Sequence, residues 1–201
     1  MTSAIGARDW LCNPEAQVSA HYVIAEDGRL WQLVSEDMRA WHAGAGAWGD
    51  VTDVNSQSIG IEIANSGSHP FCEPQMAVLE RLMSGMMTRW DIRPERVIGH
   101  SDCAMGRKID PGGRFDWLRL ARQGLAIWPE ARDAGDFTAD CARFGYVADA
   151  TQQETLLAAF RMRFRPWAEG PLDEHDRALA ADLAARWPYR SPHRPGADLI
   201  G

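Results

Sequence analysis

The chain has no apolar stretch long enough to cross a membrane, no run of clustered lysine or arginine, and no CxxC pair among its four cysteines. Each absence removes a class. A membrane-spanning helix needs about 20 consecutive apolar residues, and none is present. A formal charge of -7 and no cationic cluster argue against an electrostatic grip on nucleic acid or anionic lipid. Cys12, Cys72, Cys103 and Cys141 are too scattered for a zinc knot or a disulfide framework, and are expected to be reduced and buried. Met1-Thr2-Ser3-Ala4 lacks the basic-then-apolar layout of a secretory signal, so the sequence as written reads as cytoplasmic. A signal segment lost upstream would make it periplasmic.

What is present suits a globular protein: 201 residues, 45% apolar and 24% charged, enough for one domain with a full core and a smaller one. Nine tryptophans are many for this length; most are expected in the core, the rest offering flat contact area to sugar and peptide ligands. Residues 3–12 read as a short helix capped by Thr2 or Ser3. Residues 21–24 and 30–34 are two β-rich runs joined at Glu26-Asp27-Gly28. The glycine-rich stretch 41–50 reads as a surface loop lining a groove.

Residues 58–64 alternate strictly, so Ile59, Ile61 and Ile63 share one face while Glu62 projects from the other between Gly60 and Ala64. Met76, Leu79, Met83, Met86 and Trp90 recur at helical spacing over residues 74–90. Residues 96–100 read as a short strand ending on His100, and residues 116–123 as a helix. Residues 131–136 read as a linker. Three helices follow, starting at Phe137, at a Thr151–Glu154 capping box, and along the Leu179, Leu183, Trp187 stripe. The expected architecture is therefore α/β, a central mixed sheet flanked by helices in residues 1–130, with a three-helix bundle in residues 137–190. The tail 191–201 is expected to fray.

Three groups with chemistry fall in one glycine-rich loop: His100, Lys108 and Asp110. Imidazole and carboxylate are both zinc ligands, and a catalytic zinc takes about three protein groups while keeping one position for water. Zinc brings the pKa of water to roughly 7, which suits attack on an amide carbonyl. Lys108 is close enough in sequence to stabilise the resulting oxyanion. Glu62 is the candidate general base, passing a proton to the leaving amine.

Val18-Ser-Ala-His-Tyr-Val-Ile24, Trp41-His-Ala-Gly44, Ser58-Ile-Gly-Ile-Glu-Ile63, Gly99-His-Ser-Asp102 and Arg107-Lys-Ile-Asp-Pro-Gly112 resemble, in order and spacing, the amidase-2 family of N-acetylmuramoyl-L-alanine amidases, relatives of the peptidoglycan recognition proteins. The resemblance implies a zinc site at one end of a groove and hydrolysis of the bond between a muramoyl, or anhydromuramoyl, lactyl group and L-alanine in cell-wall degradation or recycling. It makes His100 and Asp110 zinc ligands, Glu62 the acid/base and Lys108 the stabiliser of the tetrahedral intermediate. Trp41, His42 and His21 become substrate-side groups, peptidoglycan or a muropeptide the partner, and a monomer the expected state. Phe144-Gly-Tyr146 and residues 158–166 look like a peptidoglycan-binding bundle appended to such enzymes; the alternative is a helical extension that packs on the first unit without touching ligand.

One departure stands out. The family takes its first zinc ligand from a histidine ending an apolar strand just ahead of the first helix, and here the sequence begins where that run ends. A start placed downstream of the true one is the favoured expectation. Recruitment of His21, His42 or His69, and a peptidoglycan-binding protein without hydrolysis, are the alternatives. A zinc held by two protein ligands should bind weakly, and a missing strand should leave an open sheet edge.

Overall fold

The computed structural model describes residues 3–149 and 151–191. In chain order the elements are α1 (Ala4–Leu11), β1 (Tyr22–Ile24), β2 (Leu30–Gln32), β3 (Ile61–Ile63), α2 (Glu73–Trp90), α3 (His100–Cys103), α4 (Trp117–Arg122), α5 (Phe137–Phe144), α6 (Gln153–Phe164) and α7 (Glu174–Arg186). β1 is central in a sheet ordered β2-β1-β3, antiparallel to β2 and parallel to β3. All three β1 side chains are buried, as they must be when helices cover both faces. The turn into β2 is closed by Gly28, whose N–H donates to the Ala25 carbonyl at 2.9 Å with φ at +86°. A Cβ at Gly28 would also press on the Pro74 carbonyl at 3.0 Å, so both conformation and close approach require glycine.

The alternation over residues 59–63 is realised as read. Ile59, Ile61 and Ile63 pack into one core with Met76, Leu79, Met83 and Met86 of α2 and Trp117 and Leu120 of α4. Buried Gln75 fastens α2 to the strand ends, its Nε2 donating to the Ala64 carbonyl at 2.8 Å and the Ile24 carbonyl at 3.3 Å. The opposite face of β1 is covered by Ala7 and Leu11 of α1, a helix capped by Ser3, which accepts from the Gly6 N–H. Among the described residues the outer edge of β3 has no strand partner.

Three expectations are corrected. Residues 96–100 are not a strand: a 3-10 turn ends at Arg96 and His100 opens α3, because the Asp102 carboxylate takes the Gly99 N–H at 2.8 Å and starts a helix there. The Thr151–Glu154 capping box does not form, since the Thr151 hydroxyl donates to Asp149 at 2.6 Å and α6 begins after Gln152 without a side-chain cap. Cys103 and Cys141 are buried and free, but Cys12 and Cys72 are exposed, sitting at the end of α1 and the start of α2. The segment after Pro129 is tied to α7: the Glu130 N–H donates to Asp182 at 3.0 Å, and Arg132 pairs with the same carboxylate. The expected frayed tail lies outside the described residues from 192 on.

α5, α6 and α7 form the anticipated bundle around Phe137, Phe144, Leu156, Phe160, Phe164 and Leu183, and that core runs on without a break into Trp48, Val54, Cys103 and Ile127.

Glu36, in the loop after β2, staples that loop to the end of α2. Its carboxylate accepts from Arg89 at 2.5 and 3.0 Å, the Trp90 indole at 2.7 Å and the Tyr22 hydroxyl at 2.8 Å. The Arg89 hydrogen bond, helped by those from Trp90 and Tyr22 and opposed by burial, pulls the Glu36 pKa from 4.5 to about 2. A depressed carboxyl pKa contributes stability that is complete above 4.5 and is lost as pH falls through about 2. Glu36→Gln should therefore be less stable than the parent at pH 6, with the gap between their melting temperatures closing across that window. A gap unchanged from pH 6 to pH 2 would show that Glu36 carries no folded-state charge advantage.

Candidate active site

Glu62 projects from β3 on the side away from the isoleucines, with Val23 of β1 opposite it. Two residues earlier, Gly60 admits the His42 ring: a Cβ there would lie 2.3 Å from His42 Cγ. The loop carrying His42 is held by Asn55, whose Oδ1 accepts from the His42 N–H at 3.0 Å and the Ala43 N–H at 2.8 Å. Burial first, then the neighbouring His21 and His100, lowers the His42 pKa to about 4. The ring is thus neutral near pH 7, and its Nε2 is buried without a partner among the described residues.

His100 is the first residue of α3. Its Nε2 lies 2.8 Å from the Ala43 carbonyl and its Nδ1 lies 3.0 Å from Asp110 Oδ2. A carbonyl oxygen only accepts, so Nε2 carries a hydrogen, and in the neutral ring Nδ1 then turns a lone pair on the carboxylate. Two acceptors at that distance repel unless a cation, a proton or a metal, lies between them. Metal-binding histidines commonly anchor the far ring N–H on a backbone carbonyl in this way, and a protonated imidazole pairs with a carboxylate at the same distance. Burial pushes the Asp110 carboxyl up, but the hydrogen bond and charge of His100, with Lys108, outweigh it and hold Asp110 below its usual range. The Ser101 N–H donates to the Asp110 carbonyl at 2.9 Å and closes the loop on itself.

Glu62 is shifted the other way. Burial raises its pKa, the Asp110 charge adds to the rise, and His100 and Lys108 oppose it. Glu62, His100, Lys108 and Asp110 therefore share one electrostatic neighbourhood. Lys108, the chain's one lysine, is half-buried there. His42, Glu62, His100 and Asp110 line a cavity of about 1430 Å³ whose apolar wall includes Ile61 and Phe71.

The structure separates the remaining sequence candidates. His21 is fully buried, its Nδ1 accepting from the Gly60 N–H at 3.0 Å and its Nε2 donating to the Met38 carbonyl at 3.0 Å. With both ring nitrogens hydrogen-bonded it braces the sheet, and it does not line the cavity. Trp41 is 50% exposed beside the loop and does not line the cavity. His69 is exposed, hydrogen-bonded to Asn65 and Pro70. Sequence reasoning missed Asn55 and Arg107, whose guanidinium donates to the Ala43 carbonyl at 2.6 Å and also reaches Ala45. Both act through a backbone carbonyl or amide, which no residue pattern marks. Among the described residues no three histidine, cysteine or acidic side chains cluster to hold a metal; His100 and Asp110 are two side chains of ligand type brought within 3.0 Å of each other.

The profile of the N-acetylmuramoyl-L-alanine amidase family matches residues 1–113. The chain belongs to this amidase family. Escherichia coli (strain K12) N-acetylmuramoyl-L-alanine amidase AmiD is 35% identical over 86% of this chain and 76% of its own length. The AmiD complex with anhydro-N-acetylmuramic acid-L-Ala-D-gamma-Glu-L-Lys superposes with a TM-score of 0.83 at 32% identity, covering 91% of this chain and 84% of AmiD. Pseudomonas aeruginosa AmpDh3, solved with anhydromuramic pentapeptide, gives a TM-score of 0.83 at 28% identity over 93% of this chain and 89% of its own. The 1,6-anhydro-N-acetylmuramyl-L-alanine amidase AmpD of Haemophilus influenzae is 40% identical, but over only 52% of this chain and 58% of its own length. The α/β sheet is thus that of the family, and the likeness to the AmiD and AmpDh3 structures extends over the helical unit as well. No helix among the described residues is long and apolar enough to cross a membrane.

Proposed function

We propose that this family member hydrolyses the amide between a muramoyl, or anhydromuramoyl, lactyl group and L-alanine, using zinc held by His100 and Asp110. The observation that carries the reading is the His100–Asp110 pair at 3.0 Å with the far imidazole nitrogen pinned on the Ala43 carbonyl. Zinc bound there would supply Lewis acidity that polarises the scissile carbonyl and acidifies water to a pKa of roughly 7. Glu62, its carboxyl raised by burial, takes the proton from attacking water at a carboxylate oxygen and returns it to the departing L-alanine nitrogen. Lys108 holds its ammonium beside the same site and offsets the charge developing on the carbonyl oxygen. The cavity beside Glu62, mixed in polarity, is of a size to take a sugar and the first residues of its peptide.

A second reading, binding without hydrolysis, is favoured by one observation: no three-ligand cluster exists among the described residues. One experiment separates the two. Metal content and release of free L-alanyl peptide are measured on anhydro-muropeptide and on intact peptidoglycan. With zinc supplied in excess we expect zinc uptake, peptide release, and loss of release on chelation. Tight muropeptide binding with no free peptide from the zinc-supplied protein would establish the binding reading instead.

A further inference from the structure

His100, Lys108 and Asp110 all lie on residues 99–113, a segment with little secondary structure beyond the single turn of α3. α6 and Tyr146, from the helical unit beyond the matched family region, touch this segment at successive points. Asp102, two residues past His100, is fully buried, and its carboxylate is fully engaged. Arg163 of α6 donates to Oδ2 at 2.7 Å, the Tyr146 hydroxyl donates to Oδ1 at 2.6 Å, and the Gly99 N–H donates to Oδ2 at 2.8 Å. Arg163 also donates to the Val97 carbonyl at 2.8 Å, with its guanidinium 4.5 Å from the Trp117 ring centroid. Further along, Thr155 sits where a Cβ on Gly106 would be, 2.9 Å away, and Pro166 does the same at Gly113, also 2.9 Å. Glycines at 106 and 113 thus let α6 and the residues just after it lie directly on the loop.

A buried ion pair is a weak source of net stability, because desolvation cancels much of the attraction. Its geometry is demanding, however, and here it fixes the backbone one residue before His100. We propose that Arg163 and Tyr146 are positioning residues of the active site, holding the 99–113 segment so that His100 Nδ1 and Asp110 Oδ2 keep the separation at which they share a cation. The helical unit is then the back wall of the site. This rests on the metal reading of that pair, while the positioning itself is testable without metal.

The test uses the full chain with Tyr146→Phe, which removes one hydroxyl, and Arg163→Met with Arg163→Lys as its conservative partner. Leu183→Ala, in the bundle core away from Asp102, controls for general loss of stability. In metal-free protein, amide exchange at Ser101 and Asp102 should rise about tenfold in Tyr146→Phe, the size expected for one hydrogen bond to a carboxylate. Cobalt(II) affinity should fall by about tenfold or more, with a weakened visible d–d band, and kcat should fall with KM unchanged. Arg163→Lys should recover part of what Arg163→Met loses. Unchanged exchange and unchanged cobalt affinity in Tyr146→Phe would overturn the proposal, as would equal losses in Leu183→Ala. If the parent protein takes up no cobalt, the metal reading fails, and the exchange result alone decides the positioning.

Discussion

Glu62→Gln lowers kcat by about 10²–10⁴-fold, the range for losing a positioned acid/base group, and leaves the zinc content of the protein unchanged. Glutamine keeps the volume and most of the hydrogen-bonding capacity of Glu62, so β3 and the wall of the cavity should not shift. What it lacks is a proton it can give up and take back. Glu62 is suited to that exchange because burial raises its carboxyl, the Asp110 charge pushes the same way, and His100 and Lys108 stop the rise from becoming extreme. Since Glu62 is not one of the paired groups at 3.0 Å, metal should stay in place. KM should also hold, because the variant removes an interaction made in the transition state rather than uniform binding. A Glu62→Gln protein with full turnover would sink the assignment, whereas one that had lost its zinc would move Glu62 from proton transfer to the metal's own surroundings.

How far the sequence reveals such a site depends on the range over which each signal acts. The strict alternation of residues 58–64 needs only neighbours, and it correctly sets Glu62 opposite Ile61 and Ile63. Gly60 looked like a mere small neighbour; its reason, the His42 ring lying across it, joins residues eighteen positions apart by number. The extended run ending on His100 reads as a strand up to that point, and the signal that competes with it, the Asp102 carboxylate capping a helix at Gly99, acts over only three residues. The distinction between His21 and His42 is made by distant partners. Gly60 and Met38 use up the first ring, while the second keeps an Nε2 without a partner among the described residues. The link from Arg163 to Asp102 spans 61 residues and leaves no periodic trace. The bundle was legible as three helices, but its continuity with the first core was not, since hydrophobic stripes do not say what they pack against.

Asp110→Ala should behave differently from Glu62→Gln, losing metal and turnover together. Removing the carboxylate leaves His100 Nδ1 facing no anion, and one imidazole on a described site without a third clustered ligand cannot compete with solvent for zinc. With the metal go several kcal/mol of transition-state stabilisation, so kcat should drop by at least about 10³-fold at roughly tenfold per 1.36 kcal/mol. Folding should change little, because the Asp110 side chain is 57% exposed and a pair this open to water contributes about 1 kcal/mol or less. Metal analysis, turnover with excess zinc and a melting curve on one preparation distinguish these effects. Partial recovery in excess zinc would fit a weakened site still holding His100. If Asp110→Ala instead kept its full zinc content, the metal would have to be held without the carboxylate. His42, neutral at pH 7 and with its Nε2 unpartnered among the described residues, would then be the group to replace next.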